Sequence, residues 1–193
     1  ATDALSTGFW FDYDALGRVV SSSQDSEKGL LTTLSSYLSS ARIQVVNPRG
    51  MQTTTSYMAY GQPSTDWPVL IVQPEGAYTD IVRDPFGKPT SITRRNSNGS
   101  VAITRSMVYD GSQQLCKTIE PETAATVMGY DAAGNLIWSA SGQPLPDPAS
   151  CNAEGVPFEA RVLRSYDVRN RLESLSFTDG RGDQDWFYTP DGL

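Results

Sequence analysis

The chain is 193 residues long, which is enough for one sizeable domain or for several stacked repeat units with a buried core. Hydrophobic residues make up only 38% of it, and 16 Gly and 12 Pro supply many turns, so the composition favours β structure over long helices. The net charge of -7 argues against nucleic acid or an anionic membrane surface as the main partner, and no apolar stretch approaches the roughly 18 residues that span a bilayer.

The first predicted element is a hairpin corner at Tyr13-Asp14-Ala15-Leu16-Gly17-Arg18-Val19. In this frame we expect Tyr to end one strand facing the core and Asp to cap the turn with its side chain. Gly would take the left-handed conformation, and the apolar residue that closes the frame would restart strand pairing. The frame therefore predicts a strand, a tight turn and a second strand.

The segment from Gly29 to Ala41 is the one stretch with helix-like spacing of its apolar residues. Its many Ser and Thr residues, and its place in a double-length interval between frames, favour a pair of strands over a helix. Further turn signals lie at Asn47-Pro48-Arg49-Gly50, Pro74-Glu75-Gly76, Asn96-Ser97-Asn98-Gly99 and Asp179-Gly180-Arg181-Gly182.

The frame recurs along the chain with substitutions. The copies contain Tyr57 and Gly61; Arg83, Asp84 and Gly87; Tyr109 and Asp110; Tyr130, Asp131 and Gly134; Tyr166, Asp167 and Asn170; and, in a truncated copy, Tyr188. Their first residues are spaced 44, 26, 26, 21, 36 and 22 apart. A unit of 21 to 26 residues explains this if the interval of 44 holds two units and that of 36 carries an insertion, at residues 141–156. Residues 1–193 are thus one repeat region, read as an excerpt of a longer chain.

Some copies depart from the frame. Arg83 replaces Tyr, while Gln113 and Asn170 replace Gly, so we expect local departures from regular hairpins at these corners. Where Gly is present we expect it to be required, and Gly134→Val should cost well over about 1 kcal/mol through its turn conformation.

Two cysteines, Cys116 and Cys151, could form one disulfide or remain small buried thiols, and the sequence leaves both readings open. A bridge would close a loop of about 36 residues, to which the chain-entropy model assigns roughly 4 kcal/mol. It would also require an oxidising compartment.

The absence of histidine excludes Ser-His-Asp and Cys-His nucleophilic sites and histidine metal sites. Carboxylate chemistry remains open at Asp179, Asp183 and Asp185, although Asp beside Gly is ordinary turn chemistry. The Arg181-Gly182-Asp183 adhesion tripeptide lies in the same Gly-rich turn. Recurrence of Asp at every corner favours capping over repeated active sites. The four tryptophans favour core packing over a sugar-stacking platform. We therefore expect no catalytic residue, metal or cofactor.

With these copies in view, the chain resembles the Rhs family of YD-repeat proteins, large bacterial surface or secreted polymorphic-toxin proteins. The resemblance covers essentially the whole chain, and the residues that carry it are Tyr13 to Val19, Asn47 to Gly50 with Thr53 to Thr55, Arg83 to Thr93, Leu115 to Ser141 and Tyr166 to Leu193. It implies an all-β strip of antiparallel hairpins whose curved sheet forms part of a shell around a C-terminal toxin. The self-cleaving core segment of that family has no match in this sequence.

The function expected from these observations is a non-catalytic structural segment of a large secreted or cell-surface Rhs protein. The implied partners are neighbouring repeats and an enclosed toxin domain, and exposed sheet edges could permit self-association. The alternative is a surface adhesion or carbohydrate-binding module, whose partners would be glycans. An enzyme built on carboxylates is a third and weaker hypothesis.

Overall fold

The computed structural model describes residues 8–59 and 64–189, and nearly all regular structure within them is β-strand. The chain divides into two compact units, Ala1–Ile103 and Thr104–Leu193. Within each unit the strands follow one another in chain order and pair antiparallel with the next strand. The predicted fold class, an all-β strip of antiparallel hairpins, is confirmed.

The first unit contains eight complete strands. They are β1 (Phe9–Tyr13), β2 (Val19–Ser26), β3 (Gly29–Leu38), β4 (Arg42–Val46), β5 (Gln52–Tyr57), β6 (Pro68–Val72), β7 (Ala77–Arg83) and β8 (Pro89–Asn96). A short 3-10 turn, Pro74–Gly76, joins β6 to β7. Because every strand reverses direction, the connections that follow odd-numbered strands lie at one edge of this sheet. Those that follow even-numbered strands lie at the other edge.

Strand β3 corrects one prediction. The structure shows one ten-residue strand where we expected a pair of strands, and it shows no helix there. Leu30 and Leu31 pair with Asp25 and Gln24 of β2, while Leu34 pairs with Val46 of β4. Pairing on both sides satisfies the backbone of this Ser- and Thr-rich segment, so the helix-like spacing of its leucines has no structural consequence.

The second unit contains most of β9 (Ala102–Tyr109) and the six strands after it. These are β10 (Leu115–Glu120), β11 (Ala124–Tyr130), β12 (Leu136–Gln143), β13 (Val162–Tyr166), β14 (Leu172–Phe177) and β15 (Gln184–Asp185). The predicted insertion at 141–156 overlaps the long connection from β12 to β13. Because β12 continues to Gln143, that connection is residues 144–161, with 3-10 turns at Ala153–Gly155 and Phe158–Ala160.

The hydrophobic core lies in the second unit and is partly built by this connection. Val127 of β11 and Ala140 of β12 are almost fully buried, and Val156 from the connection packs with them. Trp138, Leu145 and Ala153 surround the cluster. The connection therefore folds onto the sheet and supplies core residues.

The first unit is much more open. Among its described residues no hydrophobic side chain is fully buried. Its exposed apolar side chains include Phe9, Trp10, Phe11, Leu30, Leu31, Leu34 and Leu38. In the part of the chain that the structure describes, no helix has the length and apolar character needed to cross a membrane.

Candidate functional site

The feature that recurs in both units is the hairpin corner. At the first corner the Asp14 N–H donates to the Arg18 carbonyl at 2.9 Å, and the Gly17 N–H donates back to the Asp14 carbonyl at 3.0 Å. Asp14 Oδ1 accepts the N–H groups of Leu16 and Arg18, each at 2.9 Å. Gly17 has φ 75°, a left-handed value. This is a type I turn closed by a left-handed residue, which suits the twist of a hairpin.

The same hydrogen bonds recur at the other corners. The Oδ1 atoms of Asp84, Asp110, Asp131 and Asp167 each accept two backbone N–H groups, two and four residues ahead, at 2.8 to 2.9 Å. Gly87 and Gly134 have φ values of 82° and 87°. The Tyr57 corner is longer, with Tyr57 paired to Pro68, and Gly61 lies outside the described residues.

The departures expected at Gln113 and Asn170 are absent, which corrects that prediction. Both residues adopt the left-handed conformation of the missing glycine, with φ values of 63° and 58°. Their N–H groups donate to Asp110 and Asp167 at 2.9 Å, as glycine does elsewhere. The turn survives because the Asp side chain and the flanking strand pairs together fix its backbone, at some conformational cost to a residue with a Cβ.

This cost can be measured. Gln113→Gly is expected to raise the free energy of unfolding by about 1 kcal/mol, because glycine accepts a positive φ without the Cβ penalty. The reverse type of change, Gly134→Ala, should lower it by about 1 to 2 kcal/mol. Chemical denaturation of both variants checks the pair, and a destabilised Gln113→Gly protein would contradict the assignment.

Sequence reasoning missed one copy of the frame. Tyr37 lies 24 residues after Tyr13 and 20 before Tyr57, and it pairs with Ile43 as Tyr13 pairs with Val19. Leu38 stands at the Asp position, and Ala41, with φ 50°, stands at the Gly position. The interval of 44 thus holds two units, and its length was the available signal. A further corner, between β4 and β5, lies at the opposite edge of the sheet and is capped by Asn47 in place of Asp. Asn47 Oδ1 accepts two backbone N–H groups, and the Gly50 N–H donates to the Asn47 carbonyl, as at the Asp corners.

The tyrosines connect successive corners. The hydroxyl of Tyr130 donates to the Leu115 carbonyl at 2.9 Å, and Leu115 is the residue that closes the preceding frame. Three further tyrosine hydroxyls repeat this contact: Tyr37 to Val19 at 3.1 Å, Tyr166 to Leu136 at 3.0 Å and Tyr188 to Leu172 at 2.7 Å. Burial, and then Asp110, raise the pKa of the Tyr130 phenol, so its hydroxyl keeps its proton. These bonds form a ladder between neighbouring hairpins.

Arg83 takes the place of tyrosine in this ladder. Its Nε donates to the Pro68 carbonyl at 3.1 Å, and Arg83 keeps the usual pairing with the residue six positions on, Pro89. The expected departure at Arg83 is therefore also absent. The tyrosines of the other frames are half-buried, whereas Tyr13, on the first strand, is 59% exposed. The half-buried ones are Tyr57, Tyr109, Tyr130, Tyr166 and Tyr188.

Removing one rung tests the ladder. Tyr166→Phe is expected to lower the free energy of unfolding by about 1 kcal/mol, because the Leu136 carbonyl loses its donor while the ring is kept. Tyr13→Phe is the matched control, since Tyr13 has no preceding described strand to bond and should change stability little. Equal effects of the two substitutions in thermal melts would contradict the ladder.

Side chains add further contacts between corners. Arg18 stacks over the Tyr37 ring at 4.0 Å, and Arg171 stacks over Tyr188 at 4.2 Å. Asn135 Nδ2 donates to Asn170 Oδ1 at 3.0 Å. Trp67 covers Gly87 so closely that a Cβ there would lie 2.7 Å from its ring. Within each unit, neighbouring corners are thus in side-chain contact.

The hydrogen bonds that the corner carboxylates accept also lower the pKa values of three of them. The pKa of Asp14 is lowered chiefly by the Arg18 side chain, that of Asp131 by the Asn135 side chain and that of Asp167 by the Arg171 backbone N–H. A carboxylate with a lowered folded pKa stabilises the fold above its unfolded value, near 3.8. That stabilisation is lost as the pH falls through the folded pKa.

We therefore expect the melting temperature to hold near pH 5 and to fall below about pH 4. A variant with Asp14, Asp131 and Asp167 replaced by Asn keeps the Oδ1 acceptors but cannot titrate, so its melting temperature should depend less on acid. Calorimetric melts of both proteins check this, and parallel pH profiles would argue against the assignment.

Two of the three carboxylates proposed for acid–base chemistry, Asp179 and Asp183, have local structural partners. Asp183 Oδ1 accepts the Phe177 N–H at 2.8 Å, and Asp179 Oδ1 accepts the Arg181 N–H at 3.0 Å, so both support the turn that holds the Arg-Gly-Asp tripeptide. Within residues 8–59 and 64–189 no group of three or more acidic, Cys or His side chains could hold a metal ion.

A second feature of interest surrounds the two cysteines. Cys116 of β10 and Cys151 of the long connection form a disulfide, with Cα atoms 5.4 Å apart. Lys117, next to Cys116, is completely buried, and its ammonium contacts the Asp147 carbonyl and Asn152 Oδ1. Cys116 is the additional residue of a β-bulge against β9, which accounts for two consecutive buried side chains. Sequence reasoning gave no indication of this buried lysine.

Comparison with solved structures identifies the fold. With TcdB2-TccC3 the chain superposes at a TM-score of 0.54, with 14% identity over 98% of its length. Its fold is that of a segment of TcdB2-TccC3. The structure of TcdB2-TccC3-TEV matches 94% of the chain at a TM-score of 0.52 and 12% identity. The form without the hypervariable C-terminal region matches 95% at 0.53 and 15%.

The chain spans only 11 to 12% of the length of these TcdB2-TccC3 chains. The sequence matches no protein-family model and no curated protein sequence. At this identity the likeness shows a shared antiparallel β architecture.

Proposed function

We propose that this chain is a non-catalytic segment of a large secreted or cell-surface Rhs protein, where it contributes a strip to a β-shell that encloses a C-terminal toxin. The tyrosine ladder carries the proposal. Each rung bonds one hairpin to the carbonyl that closes the preceding corner, once in the first unit and three times in the second, so these tyrosines link hairpins within each unit. A structure of this kind can be extended by further repeats.

The recurrence of one corner geometry along the chain supports a structural role. Every Asp in the frame has its Oδ1 atom occupied by two backbone donors, as at Asp84 and Asp110. The carboxylates of successive corners are thus used separately and do not converge on a substrate. A pair of carboxylates for acid-base chemistry needs one shared position between them.

The open first unit indicates what the partners would be. Phe9, Leu31 and Leu34 are between 41% and 58% exposed, and apolar side chains at this density on a sheet favour contact with further protein. Neighbouring repeats of the parent chain and an enclosed domain would supply that contact. The fold shared with a segment of the much longer TcdB2-TccC3 chains agrees with a strip that is completed by other parts of its protein.

One observation favours the alternative, a surface module that binds glycans. Strand β1 exposes Phe9, Trp10 and Phe11, each by more than half, and aromatic faces suit sugar rings. Trp67 and Trp138 do not extend this surface, because both are half-buried. Binding of the isolated chain to cell-wall glycans, lost on Trp10→Ala, would support this alternative.

Limited proteolysis of the intact parent protein tests the shell. The proposal predicts a large resistant particle that keeps this chain and a separate C-terminal fragment together through gel filtration. Release of a stable soluble piece of about this length would overturn it and favour an independent module.

A further inference from the structure

A short exposed segment of the second unit lies against strand β10. It consists of residues 146–152, which we call the strap, and residues 146–150 of it are exposed to solvent. The strap contacts β10 through the Cys151 sulfur, the Asn152 carboxamide and the Asp147 carbonyl. Segments with most of their residues exposed have low local stability.

Beneath the strap lies a buried charge. Lys117 is 0% exposed, and for its three N–H donors the described residues supply two acceptors, both from the strap. Burial lowers the pKa of Lys117, an effect that Asp147 and Glu154 oppose. A buried ammonium without a bonded carboxylate is costly, so the closed strap holds Lys117 in an unfavourable place.

The residues on either side of the strap are better anchored than the strap itself. Leu145 packs against the core before it, and Val156 is buried after it. Arg161 donates to the carbonyls of Ala153 and Val156, at 3.2 and 2.9 Å. Only the Cys116–Cys151 disulfide ties the strap covalently to β10. Such a link favours the closed state because it restricts the chain on either side of it.

We propose that the Cys116–Cys151 disulfide is a redox switch whose reduction releases the strap and exposes Lys117 to solvent while the rest of the second unit stays folded. The switch is an addition to the proposed function and does not rest on it. It would distinguish an oxidising compartment, where the strap is closed, from a reducing one, where it is open.

The chemistry is ordinary thiol–disulfide exchange with a dithiol reductant. Cys151 is half-buried whereas Cys116 is only 3% exposed, so the reductant thiolate attacks the Cys151 sulfur. The bond between the two protein sulfurs breaks, a mixed disulfide forms on Cys151, and Cys116 leaves as a thiolate that takes up a proton. The second thiol of the reductant then displaces Cys151. Two electrons and two protons pass to the protein, and the dithiol becomes its cyclic disulfide.

Once the disulfide is reduced, the strap opens because its polar groups and the Lys117 ammonium are then hydrated by solvent. The Lys117 ammonium, the Asn152 carboxamide and the Asp147 carbonyl exchange their mutual bonds for bonds to solvent, and the charge regains its hydration. The strap gives up little apolar contact, since Leu145 and Val156 lie outside it. The motion therefore stays local.

Amine labelling measures the switch. The full chain is treated with an acetylating N-hydroxysuccinimide ester before and after reduction by dithiothreitol, and acetylated lysines are mapped by peptide mass spectrometry. Lys28, exposed in the β2–β3 hairpin, is the internal reference. We expect the acetylation rate of Lys117 to rise at least about tenfold on reduction and that of Lys28 to stay constant. Hydrogen exchange should show that β13 and β14 keep their protection.

Two variants make the test decisive. In the Cys151→Ser variant, Lys117 should be acetylated without reductant, as it is in the reduced wild-type protein. Lys117→Met removes the buried charge, so hydrogen exchange at residues 147–152 should change little when that variant is reduced. Persistent protection of Lys117 in reduced, folded protein would overturn the proposal. Loss of protection in β13 and β14 together with Lys117 would also overturn it, because it would mean general unfolding. A strap that opens as much in the reduced Lys117→Met variant as in the reduced wild-type protein would overturn it as well.

Discussion

Replacing Gly129 with alanine is expected to lower the free energy of unfolding by about 3 kcal/mol. Gly129 of β11 pairs with Trp138 of β12, and a Cβ added at Gly129 would lie only 2.0 Å from the indole nitrogen of Trp138. Trp138 cannot move aside cheaply. It packs against the core cluster on one side and carries the Arg161 guanidinium 4.1 Å above its ring.

Gly111→Ala is the matched control, because a Cβ at Gly111 would have no atom within 4 Å. We expect the free energy of unfolding of that variant to lie within about 0.5 kcal/mol of the value for the unsubstituted chain. Guanidinium denaturation followed by tryptophan fluorescence compares the two. A Gly129→Ala protein as stable as the Gly111→Ala protein would contradict the close packing of Trp138.

Removal of the disulfide is expected to have the largest effect on stability. The double substitution of Cys116 and Cys151 by alanine should lower the free energy of unfolding by roughly 4 kcal/mol, because the unfolded chain is no longer constrained by a loop of about 36 residues.

The wild-type chain in excess dithiothreitol is the control for this substitution and should lose stability by a similar amount. Agreement between the two would assign the loss to the cross-link itself. A difference below about 1 kcal/mol between oxidised and reduced protein would contradict a stabilising disulfide.

Local sequence explains much of the fold. At Tyr130-Asp131-Ala132-Ala133-Gly134 the capping carboxylate, the left-handed glycine and the next strand are all specified within a few residues, so the hairpin can be predicted from sequence. The corner at Tyr37 was missed because Leu38 and Ala41 lack both signals. Its turn is held by the pairing of β3 with β4, which local sequence does not reveal.

The other features missed by sequence reasoning depend on contacts between distant segments. Lys117 reads as an exposed strand residue, and its burial results from a connection that begins more than twenty residues later. The covering of Gly129 by Trp138 depends on strand register, which a β-bulge shifts next to this pair. Gln113 was expected to disturb its corner, yet the capping Asp110 and the flanking strands impose the left-handed conformation on it.

Electron cryomicroscopy of the intact parent protein tests the structural role most directly. If the role is correct, this chain forms a continuous strip of a closed β-shell, hydrogen-bonded to further repeats, with the C-terminal domain inside. A map in which the chain is a separate module outside any shell, with β1 and its aromatic side chains exposed to solvent, would contradict the account.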